Sequence, residues 1–128
     1  MLLLDTCTLL WLASEQTRLP SSAIERIHQH AGFLFVSSIT AFEIGIAERK
    51  NRLSLPMPAE RYYAVALKTH GVHEIAIDGV LAARSTVLPA LHADPADRMI
   101  VATAQIQDLA VLTPDPLIAA YPDTRVVW

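Results

Sequence analysis

Lysine and cysteine are both scarce in this chain. Lys50 and Lys68 are the only lysines among 128 residues, and Cys7 is the only cysteine. One cysteine excludes an internal disulfide and fits a reducing, cytoplasmic setting. The longest apolar runs fall short of the roughly 20 residues that a membrane-spanning helix needs. Met-Leu-Leu-Leu-Asp has no basic lead and meets an acid at Asp5, so the N-terminus does not read as a signal peptide. Basic character is missing too: the net charge of −3 argues against a surface that attracts nucleic acid as a whole. That argument weakens if several acids gather around a cation, because a bound ion cancels them.

Apolar residues are plentiful. They make up 52% of the chain while charged residues make up 18%, so disorder is excluded and a sizeable core is expected. The length suits one domain, residues 1–128.

Short apolar runs alternate with helical patterns. Strands are expected at Met1–Leu4, Phe33–Val36, Val72–Ile77, Leu109–Leu112 and Arg125–Trp128. Helices are expected at Thr6–Ser14, from Pro20 to about Ala31, from Ile39 to about Asn51 behind a Ser37 or Ser38 cap, and at Ala59–His70 closed by Gly71. Three more are expected: Asp78 to Leu88, Asp94 to about Gln107, and a short one ending at Tyr121. This alternation predicts an α/β fold, a three-layer sandwich around a mostly parallel five-stranded sheet. In such sheets ligands bind beyond the carboxyl ends of the strands, where strand order reverses.

The acids are placed to use that edge. Asp5 follows the first strand directly, and Asp115 lies three residues past the fourth. Asp94 and Asp97 bracket Pro95 at a helix start, where Asp94 suits the N-cap and Asp97 the third helical position of a capping box. Glu43 has Ile39, Thr40, Ile46 and Ala47 as its helical neighbours, an apolar stripe expected to face the core. Each acid alone has an ordinary explanation as a cap or turn residue. Four of them at strand ends or on apolar helix faces, without a matching buried lysine or arginine, call for a cation. All-oxygen ligation points to Mg²⁺ or Mn²⁺ rather than zinc. Arg49, Lys50, Arg52 and Arg98 are candidate phosphate contacts. His92 is expected to orient a neighbour near the helix start rather than to ligate a hard ion. Cys7 does not read as a nucleophile, because no histidine bears an evident relation to it.

Four segments carry a resemblance. They are Leu-Leu-Leu-Asp-Thr-Cys-Thr-Leu-Leu-Trp (2–11), Ser-Ser-Ile-Thr-Ala-Phe-Glu-Ile (37–44), His-Ala-Asp-Pro-Ala-Asp-Arg-Met-Ile-Val-Ala-Thr-Ala (92–104) and Leu-Thr-Pro-Asp (112–115). In this order they resemble the acidic motifs of PIN-domain ribonucleases, specifically the VapC toxins of bacterial toxin–antitoxin pairs. The His-x-Asp-Pro-x-Asp-Arg segment is the most specific. The resemblance implies that Asp5, Glu43, Asp97 and Asp115 hold one or two Mg²⁺ or Mn²⁺ ions. Asp5 and Asp97 would be direct ligands, with Glu43 and Asp115 left to a second ion or to positioning water. Thr6, Asp94 and Thr113 would support them. Cys7 departs from the small polar residue or histidine common at that position. The resemblance also implies hydrolysis of single-stranded or looped RNA, a homodimer, and an antitoxin partner that builds a higher-order complex.

Two other functions compete. A receiver or aspartyl-phosphatase domain also sets aspartates around Mg²⁺, but Cys7 stands where the phosphatase needs its second acid, and no lysine follows Lys68. A non-catalytic binding module would keep the acids only as caps.

Overall fold

The computed structural model describes residues 1–128. Five strands form one sheet: β1 (Leu2–Leu4), β2 (Leu34–Ser37), β3 (Val72–Ile75), β4 (Ala110–Leu112) and β5 (Val126–Val127). Seven helices accompany them: α1 (Thr6–Ser14), α2 (Ser21–Gln29), α3 (Ile39–Arg49), α4 (Ala59–His70), α5 (Gly79–Thr86), α6 (Pro95–Gln107) and α7 (Pro116–Ala119). The spatial order is β3-β2-β1-β4-β5, and every neighbouring pair is parallel. The expected sheet was mostly parallel; the observed one is wholly so.

β1 explains the sandwich. A strand with neighbours on both sides and helices on both faces must be apolar throughout, and Leu2, Leu3 and Leu4 are all buried. Alternation sends Leu2 and Leu4 to one face, where they join Leu9 and Leu12 of α1, Ile27 of α2, Ile44 of α3 and Tyr62 of α4. Leu3 points to the other face and packs with Ile100, Val101 and Ala104 of α6 and Ile118 of α7. Two apolar layers thus sandwich the sheet.

The chain moves outward from β1 to β2 and β3, then returns to lay β4 on the opposite side of β1. The order therefore reverses between β1 and β4. Leu4 pairs with Leu112, so Asp5 and Thr113 leave the sheet side by side. This order also separates the fold from the receiver type, whose doubly wound sheet runs 2-1-3-4-5.

Element ends differ from expectation where side chains intervene. β3 stops at Ile75 rather than Ile77, because the Ile77 amide donates to Ser38 Oγ at 3.1 Å instead of to a strand. α5 stops at Thr86 rather than Leu88, and the carbonyls beyond its last turn turn toward Arg98. α2 ends at Gln29 rather than Ala31, and a short 3-10 turn at Gln16–Arg18 precedes it. Ser37, not Ser38, accepts the Ile39 amide at the start of α3. Gly71 closes α4 at φ 63°, a left-handed value that glycine adopts without strain.

Candidate functional site

Asp5 caps α1 by accepting the Thr8 amide at 2.9 Å. It is 5% exposed, and its second oxygen accepts from the Thr113 hydroxyl. Thr113 Oγ1 in turn accepts the Asp115 amide at 3.1 Å, so the ends of β1 and β4 are tied through one carboxylate. Asp115 caps α7 through the Leu117 amide. The Cys7 thiol lies 3.3 Å from Asp5 Oδ1. Burial and the Asp5 charge push that thiol up to about 12. It stays protonated at neutral pH and is no nucleophile. Cys7 is accordingly expected to resist iodoacetamide at pH 8 in the folded protein and to alkylate on unfolding. Mass spectrometry of the two states would check this.

Glu43 arrives from α3. The Thr6 hydroxyl donates to Glu43 Oε1 and shares a 3.0 Å hydrogen bond with Thr40 Oγ1. The stripe around Glu43 faces the core only in part: Thr40 is fully buried and Ile39 packs against the second apolar layer, while Ile46 is turned outward. The buried positions of α3 are Thr40 and Ile44, whereas Phe42 is 63% and Ile46 38% exposed. Ile39, Glu43, Ile46 and Ala47 line an open cleft of about 500 Å³ against the start of α6. The polar Thr40 takes the core-facing position because Thr6 satisfies its hydroxyl.

α6 begins as a capped helix: Asp94 accepts the Ala96 amide at 3.0 Å and Pro95 occupies the first turn. The expected capping box does not close. The Asp94 amide, which Asp97 would have reached, donates to His92 Nδ1 at 3.1 Å. Asp97 is left free for the site. With Nδ1 accepting, Nε2 carries the ring proton, and it faces Asp97 Oδ2 at 3.0 Å and Asp115 Oδ2 at 3.2 Å. One histidine thus bridges the acid from α6 and the acid after β4.

Two sets of donor atoms result. Glu43, Asp94 and Asp97 each offer an oxygen within 4.8 Å of the others, and a second group of the same spacing joins oxygens of Asp97 and Asp115 to the His92 ring nitrogen that bridges them. Asp97 belongs to both. Asp5 belongs to neither group; its oxygens accept from the Thr8 amide and the Thr113 hydroxyl. Asp94, expected as a cap and support, stands among the donors while it caps. No lysine or arginine pairs with any of these acids. The electrostatic consequence is large at Asp97. Burial, then the charges of Glu43 and Asp94, push its carboxyl up to about 8, and Asp115 adds to this. Burial also raises Glu43, with Asp94 and Asp5 adding to it against the opposing Thr6 hydrogen bond. Crowded carboxylates without a counter-charge favour uptake of a proton or of a hard divalent ion, and the oxygen-rich donor set fits Mg²⁺ or Mn²⁺.

Of the basic candidates, Lys50 and Arg52 line the cleft beside Glu43 and Asp94, and neither is in an ion pair; Arg49 is exposed outside that lining. Arg98 requires a correction. Its guanidinium donates to the carbonyls of Ser85, Leu88 and Pro89 at 3.0, 2.8 and 2.9 Å, and more weakly to those of Thr86 and His92 and to the Tyr121 hydroxyl. Both terminal nitrogens of its guanidinium are engaged inside the protein, which makes it first of all a brace. Sequence reasoning did not see that Tyr121 belongs to this network, accepting the His92 amide at 2.9 Å. The only available signal was the aromatic residue's place just after a short helix.

A PIN-domain profile matches residues 2–123. Ribonuclease VapC22 from Mycobacterium tuberculosis is 32% identical over 98% of this chain and 97% of its own length. Among solved structures, DNA-bound VapBC from Salmonella typhimurium superposes with a TM-score of 0.73 at 24% identity, covering 98% of this chain and 96% of that one. A toxin–antitoxin complex from Klebsiella pneumoniae gives 0.68 at 25% identity, covering 100% and 97%. A profile spanning nearly the whole sequence, together with a VapC ribonuclease at this identity, leads to one conclusion: the chain belongs to the PIN-domain family, with VapC-type relatives.

Proposed function

We propose that this protein is a divalent-cation-dependent endoribonuclease, one nuclease domain over residues 1–128, that acts as the toxin of a toxin–antitoxin pair. The observation that carries this reading is the convergence of Glu43, Asp94, Asp97 and Asp115 near Asp5 at the strand-order reversal, with no lysine or arginine to balance them. The 32% identical ribonuclease supports the reaction class. The toxin–antitoxin complexes among the structural neighbours support a cognate antitoxin, and a homodimer that assembles with it belongs to the same proposal. The cytoplasm is the proposed location; no helix is long and apolar enough to cross a membrane.

Asp5, Glu43, Asp97 and Asp115, with Asp94 beside them, would hold Mg²⁺ or Mn²⁺ there. Such an ion, when bound, supplies charge neutralisation for the phosphodiester and an acidified water. The protein's own groups do the rest. Thr6 fixes the Glu43 carboxylate, and Thr113 with the Thr8 amide fixes Asp5. His92 holds Asp97 and Asp115 in one orientation through Nε2–H, in the way outer groups commonly steer metal-binding carboxylates. Lys50 and Arg52 are placed to meet phosphates flanking the scissile one.

The test is cleavage of single-stranded RNA by antitoxin-free protein with Mn²⁺ or Mg²⁺, alongside thermal melting. Cleavage that disappears with EDTA is expected. So is a melting temperature that rises with the ion, whose binding stabilises the fold by RT ln(1 + [L]/Kd), about 2.7 kcal/mol at a hundredfold excess over Kd. Absence of both effects would refute the reading and favour a non-catalytic module.

A further inference from the structure

α3 turns an apolar stripe to solvent within reach of the acids. Ile39, Phe42 and Ile46 share one side of the helix with Glu43, and Lys50 continues the same line one turn further. Phe42 is 63% exposed, although a helix in a sandwich normally buries its aromatic residues. Met99 closes the opposite wall from α6. The resulting cleft of about 500 Å³ lies in the range of sites that take nucleotide-sized groups. Its chemistry changes along α3: Phe42 stands beside Glu43, Ile46 and Ala47 follow one turn further, and Lys50 and Arg52, both without acidic partners, come after them.

We propose that this cleft is a nucleobase subsite: one base of a single-stranded RNA, next to the scissile phosphate, stacks on Phe42 between Ile46 and Met99, while the following phosphate meets Lys50 and Arg52. The inference rests on the ribonuclease reading and names how that site selects its substrate. A base has two apolar faces and carries a phosphate on each side. That matches an apolar wall that starts with Phe42 beside the acidic centre and runs through Ile46 to two unpaired cations. Duplex RNA keeps its bases stacked and cannot present one to Phe42, so the subsite selects for loops and single strands. An aromatic wall reads no hydrogen-bond pattern; preference among bases then comes from the width between Ile46 and Met99.

The experiment pairs changes in the protein with changes in the RNA. Binding of a single-stranded oligoribonucleotide is measured by fluorescence anisotropy on the Asp97→Asn chain, with and without Phe42→Ala or Phe42→Trp. Cleavage is measured on the chain with Asp97 intact, using the parent RNA and RNAs made abasic in turn at each nucleotide flanking the cut. Phe42→Ala is expected to weaken binding and lower kcat/KM about tenfold, mainly through KM, and Phe42→Trp to restore both. One abasic position should cost the Phe42-containing enzyme a similar factor and cost Phe42→Ala almost nothing. The Mn²⁺-induced rise in melting temperature should be the same for Phe42→Ala as for the parent. If RNA is cleaved but Phe42→Ala matches the parent on every RNA, the subsite is wrong and the nuclease reading stands. If Phe42→Ala loses only affinity for an antitoxin, the occupant is protein and the proposal falls. If no RNA is cleaved yet Phe42→Ala still weakens binding, the subsite holds and the hydrolytic reading fails.

Discussion

Asp97→Asn is expected to lower RNA cleavage by about 100-fold or more, the scale seen when one charge-stabilising group of a reaction centre is lost. Both donor sets would fall with it, because Asp97 is the only residue common to Glu43–Asp94–Asp97 and His92–Asp97–Asp115. The same substitution should stabilise the ion-free protein. Asp97 titrates near 8 in the folded state against an ordinary 3.8. The folded protein therefore takes up a proton that the unfolded chain releases between about pH 4 and pH 8. Stability from this group is present in full below pH 4 and is lost as pH rises through 8. Melting of the ion-free protein should accordingly fall across that window, and Asp97→Asn should flatten the fall. At pH 8 the variant should melt higher by roughly 3 °C in EDTA and lose that advantage when Mn²⁺ is added. A variant that melts lower than the parent in EDTA at pH 8 would mean that Asp97 carries no repulsive charge there. The pairing of lost activity with gained stability is what separates a functional acid from an acid kept only as a helix cap, whose loss costs stability under every condition.

How far the residues alone disclose this arrangement depends on range. Asp5 could be placed from three leucines followed by a capping acid, because a strand buried on both faces must be apolar and must end somewhere. Convergence with Asp115 needed one fact absent from any local pattern, namely that β4 lies against β1. The facing of α3 was only partly legible: of the expected stripe Ile39, Thr40, Ile46 and Ala47, Thr40 joins Ile44 in the core, while Ile46 turns outward beside Phe42. Hydrophobicity favours burying Ile46, yet Thr40 is the one buried, because a threonine with a hydroxyl partner in Thr6 costs little to bury. The caps of α6 were legible at Asp94 and Pro95, while the role of Asp97 was hidden behind a capping box that fits its spacing. What overrides that box is His92, whose ring reaches the Asp94 amide only because the loop before α6 folds back. That loop has no periodic signal, and its shape is dictated from outside by Arg98 and Tyr121.

Arg98→Ala therefore carries the second large expected effect, and it tests whether this arginine is a brace or an RNA contact. Residues 87–94 join α5 to α6 and deliver His92, and their backbone has no ladder to satisfy its carbonyls. The guanidinium fork does this instead, meeting carbonyls from Ser85 to His92 together with the Tyr121 hydroxyl. Hydrogen bonds from a charged donor contribute about 1.5–3 kcal/mol each at full strength, and neighbours sharing one group do not add. A loss of about 3 kcal/mol is expected, which for a chain of this length lowers the melting temperature by roughly 10 °C. Arg98→Lys should recover only a small part, because an ammonium on a flexible stem cannot serve several planar acceptors at once. Tyr121→Phe removes the acceptor of the His92 amide with little change in shape. It should cost less stability, about 1 kcal/mol, and weaken Mn²⁺ affinity about tenfold, since His92 then holds Asp97 and Asp115 less firmly. A phosphate contact behaves in the opposite way: its removal leaves the melting temperature unchanged, weakens RNA binding evenly across sequences and reduces the salt dependence of that binding. Thermal melting of the three variants, set beside the salt dependence of RNA affinity, decides between the two roles. An Arg98→Ala protein that melts with the parent would restore this arginine to the RNA surface and leave the loop that carries His92 to be held by Tyr121 alone.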